Sequence, residues 1–369
     1  MVTQFATGVQ LFMVLSGFCL FWPLCKSAEA LAQWDWREYA RRRARRIVPP
    51  YYAAIIYAVV LPMVLVLVFW ALGQRANWQP LPTAWQLVTH LLFIHTLFPE
   101  TWAGITGAFW SLGVEAQFYV IFPLVIFGFR KWRLRMIALM IGFSILFRAI
   151  IGMAIPADMK VWEIILSITF LGRWMQFAAG MLAAWLVAKD WREGHVRGRL
   201  TGTTGIVCAL ALYVAATQSH FPAVISFLPI MDVLLSVSFG LLIYALCASR
   251  TPLRALFRNK MMTRLGFISY SIYLIHQPTA WYFSEMLRKK FHVTGMPEFL
   301  LLCTVGFVLL VAISYGFFLL FELPYLAAGH RAVGSAESAA PPHGTATWPT
   351  VTAAGHEVRA VPVCDQLVD

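Results

Sequence analysis

Glu115 lies in the middle of the apolar run Phe109-Trp-Ser-Leu-Gly-Val-Glu-Ala-Gln-Phe-Tyr-Val-Ile-Phe-Pro123. A carboxylate at the centre of a membrane helix costs roughly 2.5–3.5 kcal/mol to insert, so it must face a cavity, a partner or a substrate. Arg148, Arg173 and His276 also fall inside apolar spans. A helix rises about 1.5 Å per residue, which puts Glu115 and Arg173 roughly 15 Å below the outer surface and Arg148 and His276 roughly 10 Å below it. Polar or small residues accompany each at helical spacing: Ser111, Glu115 and Tyr119; Ser144 and Arg148; Arg173, Gln176 and Gly180; Ser269, Tyr273 and His276. Four polar stripes at one depth predict a polar chamber. An imidazole there can take a proton, a carboxylate can orient or balance it, and a guanidinium can stabilise an oxyanion. Tyr119, Tyr270 and Tyr273 are further donors. The plainer alternative is a Glu–Arg pair that only locks helices together.

The run Arg41-Arg-Arg-Ala-Arg-Arg-Ile-Val-Pro-Pro-Tyr-Tyr52 carries a second signal. Arg43 and Arg46 are three apart, share a helix face and suit the grip of one polyanion. Pro49 and Pro50 are expected to stop a regular helix there. The same charges also serve as a cytoplasmic anchor. His90 and His95, in Thr89-His-Leu-Leu-Phe-Ile-His-Thr96, read as interfacial histidines with backbone partners or as residues lining the chamber mouth. No spacing suggests a metal site, a nucleophile elbow or a phosphate-binding loop. The six cysteines form no CxxC pair and read as small packing residues.

These residues must be held by membrane helices. The chain is 60% hydrophobic and 12% charged, with mean hydropathy +0.70. Soluble domains carry about a quarter charged residues. Blocks of about twenty apolar residues, the length that crosses a bilayer, predict an all-α polytopic protein with nine spans: 5–24, 47–72, 106–129, 136–155, 162–187, 200–217, 230–249, 262–283 and 298–321. The apolar segment 84–98 is too short and reads as interfacial or re-entrant. Basic residues divide 22 to 5 between the two sides, which places loop 25–46 and the C-terminus in the cytoplasm and the N-terminus outside. The net charge of +12 is therefore a topology signal, and no nucleic-acid partner is expected. Residues 1–326 form the membrane domain. The tail 327–369, rich in Ala, Gly, Pro, Ser and Thr, is expected to be disordered and cytoplasmic.

Five stretches occur in a fixed order: Gly8-Val-Gln-Leu-Phe-Met-Val-Leu-Ser-Gly-Phe18, Arg43-Ala-Arg-Arg-Ile-Val-Pro-Pro-Tyr51, Trp110-Ser-Leu-Gly-Val-Glu-Ala-Gln-Phe-Tyr119, Ser269-Tyr-Ser-Ile-Tyr-Leu-Ile-His-Gln-Pro278 and Phe321-Glu-Leu-Pro324. Together, from residue 8 to about 325, they resemble the acyltransferase family 3 membrane proteins. These are bacterial O-acyltransferases that modify surface polysaccharides, peptidoglycan or glycosides. The resemblance implies an acyl group, acetyl by expectation, moved from cytoplasmic acyl-CoA to a hydroxyl of a cell-surface or exported carbohydrate. Acyl-CoA is then a donor substrate, and no permanently bound cofactor is expected. It implies that Arg43 and Arg46 are the paired arginines of the donor site and that the protein sits in the inner (plasma) membrane. The ionisable residues within the spans, Glu115, His276, Arg148 and Arg173, are the candidate catalytic residues. A transporter or flippase for a lipid-linked sugar is the competing class, and a catalytically dead homologue is the third.

Two features depart from the family pattern. Gln10 stands where many members have an acidic residue. The family's first span normally carries an arginine and, eleven residues later, a histidine taken as the base, whereas no histidine precedes His90 here. The first 24 residues also lack the basic start and cleavage site of a signal peptide. The expectation is that one further span, with that arginine and histidine, is encoded upstream of Met1. The polypeptide from Met1 is then expected to have little activity, with His276 as the substitute base within the spans.

Overall fold

The computed structural model describes residues 2–71, 73, 81–155, 162, 166–194, 199–218, 229–249, 251–257, 259–326, 350–353 and 356–359. The architecture is an all-α bundle of long helices. In chain order these are α1 (Val2–Cys25), α2 (Trp36–Ala71), the short α3 (Ala84–Leu91), α4 (Trp110–Trp132), α5 (Leu134–Ala154), α6 (Phe170–Arg192), α7 (Arg199–Gln218), α8 (Ile230–Ala248), α9 (Lys260–Lys290) and α10 (Met296–Leu326). Eight described helices are long and apolar enough to cross a membrane. The remaining expected span, 262–283, lies in α9. That helix is 31 residues long but rich in Ser, Tyr, His and Gln, because one of its faces serves the bundle interior rather than lipid. The expected span 162–187 begins later, at Phe170, where the Thr169 side chain caps the helix by accepting from Gly172 N.

The helices pack in two groups. In the first, α6 lies against α1, α5 and α8, and α7 covers α8. Its core is built on Met13, Phe18, Phe21, Phe118, Phe177 and Met181. In the second, α2, α9 and α10 pack around Tyr51, Phe109, Leu274 and Phe317. Helix α4 touches both groups and joins them. The closest approach is between α1 and α6. A Cβ at Gly17 would overlap the carbonyl of Phe177, and one at Gly180 would overlap that of Val14. Without a hydrophobic drive in lipid, such small-residue crossings let backbones gain full dispersion contact.

One expectation is corrected. Pro49 and Pro50 do not stop a helix: α2 runs unbroken over 36 residues, with Pro49, Pro50 and Pro62 inside it. Neighbouring helices support proline-bearing membrane helices that would break in water, and Tyr51 is fully buried against Phe93 and Phe109. Arg43 and Arg46 therefore belong to the same continuous helix as the span. Within residues 327–369 the described residues form an antiparallel pair, β1 (Thr350–Ala353) and β2 (His356–Arg359), with Val351 opposite Val358. Its β-branched Thr and Val residues favour extended backbone. The other tail residues lie outside those described.

The segment 84–98 folds as expected for a piece too short to span. A capping box between Thr83 and Gln86 starts α3. The chain reverses at Phe93, whose φ is 58°, and a 3-10 turn follows at His95–Leu97.

The α1–α6 crossing yields a direct test. Gly180→Ala should separate the two helices and cost about 1–3 kcal/mol, as overpacking typically does. Gly8→Ala, with open space around it, should be silent. Thermal aggregation of the detergent-solubilised variants measures both; equal midpoints would refute the packing argument.

Candidate functional site

The ionisable residues of the bundle sort into two groups rather than one chamber. The outer group is centred on Asp232, the third residue of α8, which is buried. Arg148 from α5 reaches its Oδ2 at 2.7 Å, and Arg173 from α6 reaches its Oδ1 at 3.0 Å. Gln10 Nε2 from α1 donates to Oδ1 at 2.7 Å. The Arg173 guanidinium lies 5.8 Å from the Trp110 ring centroid, and Arg148 Nη1 also donates to Ser167 O at 3.5 Å. Arg148 and Arg173 thus hold Asp232 and not Glu115. Helical spacing places a residue on a face of its own helix but does not say which neighbour that face meets.

Glu115 belongs to the inner group. Ser16 Oγ on α1 donates to its Oε1 at 2.9 Å, and Tyr119 OH, one turn on, donates to the same oxygen. The Arg43 guanidinium stands 5.5 Å from the centroid of Tyr119 and 5.9 Å from that of Tyr39. Arg43 is half-buried and Arg46 is exposed. Glu115 is therefore not level with the other three ionisable residues. It lies five residues further along α4 than Trp110, which faces Arg173, or about 7.5 Å towards the arginine pair.

Between the groups runs a hydroxyl-rich contact of α4 with α9. Ser111 and Tyr273 share a hydrogen bond, and Tyr273 OH also donates to Ala108 O at 2.8 Å. Phe12 of α1 stacks on Tyr273 at 5.8 Å. One turn outward, His276 donates from Nδ1 to Tyr273 O at 2.7 Å, since a carbonyl only accepts. The neutral ring then keeps its lone pair on Nε2. Gln277 closes the mouth: its Oε1 accepts from Thr106 Oγ1 at 2.7 Å and from Ala108 N. His276 and Glu115 are not bonded to each other.

The motif around Glu115 can now be read residue by residue. Trp110 backs Arg173, Ser111 meets Tyr273, Glu115 meets Ser16, and Gln117 pins the reversal before α4 by donating to Phe93 O and Thr96 Oγ1. Gly113 has no side chain because His95 and Thr96 occupy that space. His90 and His95 are fully buried and stacked, with centroids 4.0 Å apart. Each ring donates to a backbone carbonyl, His90 Nδ1 to Gln86 O and His95 Nε2 to Phe109 O. They are the backbone-partnered histidines of the segment and do not line a mouth.

Three buried carboxylates escape a reading of span centres: Asp190, which accepts from Tyr244 OH at 2.5 Å, Asp232 and Glu322. Asp232 sits at a span edge, where a charge reads as interfacial. Glu322 lies just past the last expected span and is 2% exposed, with Oε2 accepting from Ser271 Oγ at 2.6 Å. The signal for Glu322 was its place in Phe321-Glu-Leu-Pro324. Among the described residues, no group of three or more His, Cys, Asp or Glu side chains is arranged to hold a metal.

Two predictions follow from these contacts. Asp232→Asn leaves two guanidiniums without a counter-charge and should cost about 3–5 kcal/mol, as breaking a buried pair does; a thermal midpoint equal to the parent's would refute the anchoring role. The histidine pair sets a pH dependence. Burial and the neighbouring His90 push the His95 imidazole down from 6.5 to about 3, and burial lowers His90. Protons then favour the unfolded chain. The stability is whole above pH 6.5 and is lost as pH falls towards 3, by up to about 1.4 kcal/mol per pH unit for a single such group. His95→Gln, which retains a donor for Phe109 O, should flatten the melting-temperature profile in that window; an unchanged profile would assign the loss to carboxylates.

The model of the acyltransferase domain family matches residues 2–318, and the chain belongs to that family. It is 24% identical over 294 residues to the peptidoglycan O-acetyltransferase OatA of Listeria monocytogenes, covering 73% of this chain and 44% of that protein. It is 27% identical over 212 residues to the exopolysaccharide production protein ExoZ of Rhizobium meliloti, covering 56% of this chain and 57% of that protein. The chain therefore spans about half the length of these curated relatives. No solved structure matches it.

Proposed function

We propose that this membrane acyltransferase takes an acyl group from cytoplasmic acyl-CoA and places it on a carbohydrate hydroxyl at the outer face of the plasma membrane. The observation that carries the reading is the polar line along α4. It starts at Arg43 over Tyr119, passes Glu115 and Ser16, and reaches Ser111, Tyr273 and His276. From Tyr119 to Trp110 that line covers nine residues, about 13.5 Å. It links a basic inner end, suited to the phosphates of a nucleotide thioester, with an outer end that has an imidazole and hydroxyl groups. The relatives, a peptidoglycan O-acetyltransferase and an exopolysaccharide production protein, support an acetyl group and a carbohydrate acceptor.

In this reading the acceptor oxygen attacks the thioester carbonyl carbon. The C–S bond breaks, the new C–O ester forms, and coenzyme A leaves as the thiolate that is then protonated. His276 Nε2 takes the acceptor proton, its ring oriented by the Nδ1–H bond to Tyr273 O. Arg173 Nε is buried without a protein partner among the described residues and is a donor for the developing oxyanion. Arg148 holds Asp232 and so fixes Arg173. Glu115 orders Ser16 and Tyr119 and balances the arginine pair.

The test is acyl-CoA binding to the purified chain in detergent. Replacing both Arg43 and Arg46 with Gln should weaken binding at least tenfold, on the order of 1.4 kcal/mol or more, while membrane insertion persists on the remaining basic residues. Unchanged affinity in a correctly inserted double variant would leave the two arginines as a membrane anchor.

A further inference from the structure

The stretch Phe321-Glu-Leu-Pro324 has no role in the scheme above, yet α10 departs from regular geometry there. Phe318–Glu322 is a π-helical turn, in which Leu323 N bonds to Phe318 O, five residues back. Pro324 has no N–H to return to Leu320 O, which removes one α-helical bond from the same turn. Such turns are uncommon and concentrate at functional sites. The consequence is visible in exposure. Leu320 is 68% exposed and Phe321 41%, while Glu322 is 2%. The turn aims one carboxylate into the bundle and leaves the apolar residues facing lipid.

The carboxylate is placed by a short chain of contacts. Ser271 on α9 donates to Glu322 Oε2 at 2.6 Å. The adjacent Tyr270 donates to Ile47 O on α2 at 3.2 Å, and Ile47 follows Arg46. The π-helical turn that carries Glu322 packs directly on α2, the helix that carries Arg46. Arg46 is thus an exposed guanidinium on the helix against which the turn holding the buried Glu322 is docked. A long, flexible side chain in open space pays rotamer entropy to bind a phosphate. A fixed counter-charge behind it removes part of that cost in advance.

We propose that Glu322 is a positioning residue of the acyl-donor site, holding the Arg46 guanidinium ready for a phosphate group of the incoming nucleotide thioester. The inference rests on the reading of Arg43 and Arg46 as the donor clamp. It adds a part from the far end of the chain, so that the clamp is complete only when α10 is docked on α2 and α9.

The test is a double-mutant cycle read as acetyl-CoA affinity of the full chain in detergent. Glu322→Gln keeps the acceptor for Ser271 and removes the charge. It should weaken binding about tenfold, and Glu322→Asp should restore most of the loss. On an Arg46→Gln background, Glu322→Gln should have no further effect, because it acts through a group already gone. Should Glu322→Gln fail to fold, Glu322→Asp and Ser271→Ala carry the test: both retain the charge and should bind within a few-fold of the parent. Full additivity in the cycle, or parental affinity of Glu322→Gln beside a weakened Arg46→Gln, would overturn the role of Glu322 alone. Parental affinity of Arg46→Gln would overturn the donor reading beneath it.

Discussion

A charge buried in a membrane bundle has no water to return to, and in this protein that constraint is met by sharing. Asp232 carries the most shared bond set: two guanidiniums and one carboxamide, from three helices besides its own, converge on its two oxygens. Each pairwise attraction is strong in a medium of low dielectric, and each partner would be costly to leave alone. The result fixes α1, α5, α6 and α8 at one point. The small-residue crossing at Gly17 and Gly180 then fixes the angle at which α1 leaves that point. Helix α1 carries Gln10, Phe12 and Ser16 on to Asp232, Tyr273 and Glu115 in turn. The polar side chains of the second helix group are therefore registered against the first through α1 and α4.

The inner group follows a different rule. Glu115 accepts hydroxyls from Ser16 and Tyr119, and the Arg43 guanidinium stands over the Tyr119 ring with no direct ion pair to Glu115 among the described residues. Direct pairing would occupy the guanidiniums with a protein partner. With Glu115 bonded to hydroxyls instead, the planar forks of Arg43 and Arg46 carry no carboxylate partner among the described residues. The contrast between a closed outer cluster and an open inner one is what gives the two ends of α4 different chemistry.

Much of this was legible in the sequence, and the failures have physical causes. The all-α membrane fold followed from block length and composition, because lipid permits little else. Glu115 was conspicuous because it interrupts an apolar run, and its one-turn neighbour Tyr119 does bond to it. Its other partners were not legible. Ser16 is 99 residues away, and periodicity along one helix carries no information about the rotation of the next. Asp232 was missed because a charge three residues into a span reads as interfacial until a neighbouring helix covers it. Pro49 and Pro50 misled because the rule that proline breaks helices is a rule for helices solvated by water, whereas α2 is supported by α9 and α10.

Glycine and proline mark the remaining positions where sequence and fold are hardest to connect. Gly113 has meaning only once His95 is seen in the space beside it, and Gly107 only once the Gln277 amide is seen to approach it. In the same way, Pro324 explains little by itself. Beside a π-helical turn that buries Glu322, its missing N–H becomes part of how a carboxylate is turned inward. The motif residues of this chain thus do two kinds of work. Some carry charge or hydroxyls, and others are small or unbonded so that those groups can meet. The second kind sets the geometry of the first, and for that reason a scan for reactive side chains alone finds the parts of the site without finding which of them touch.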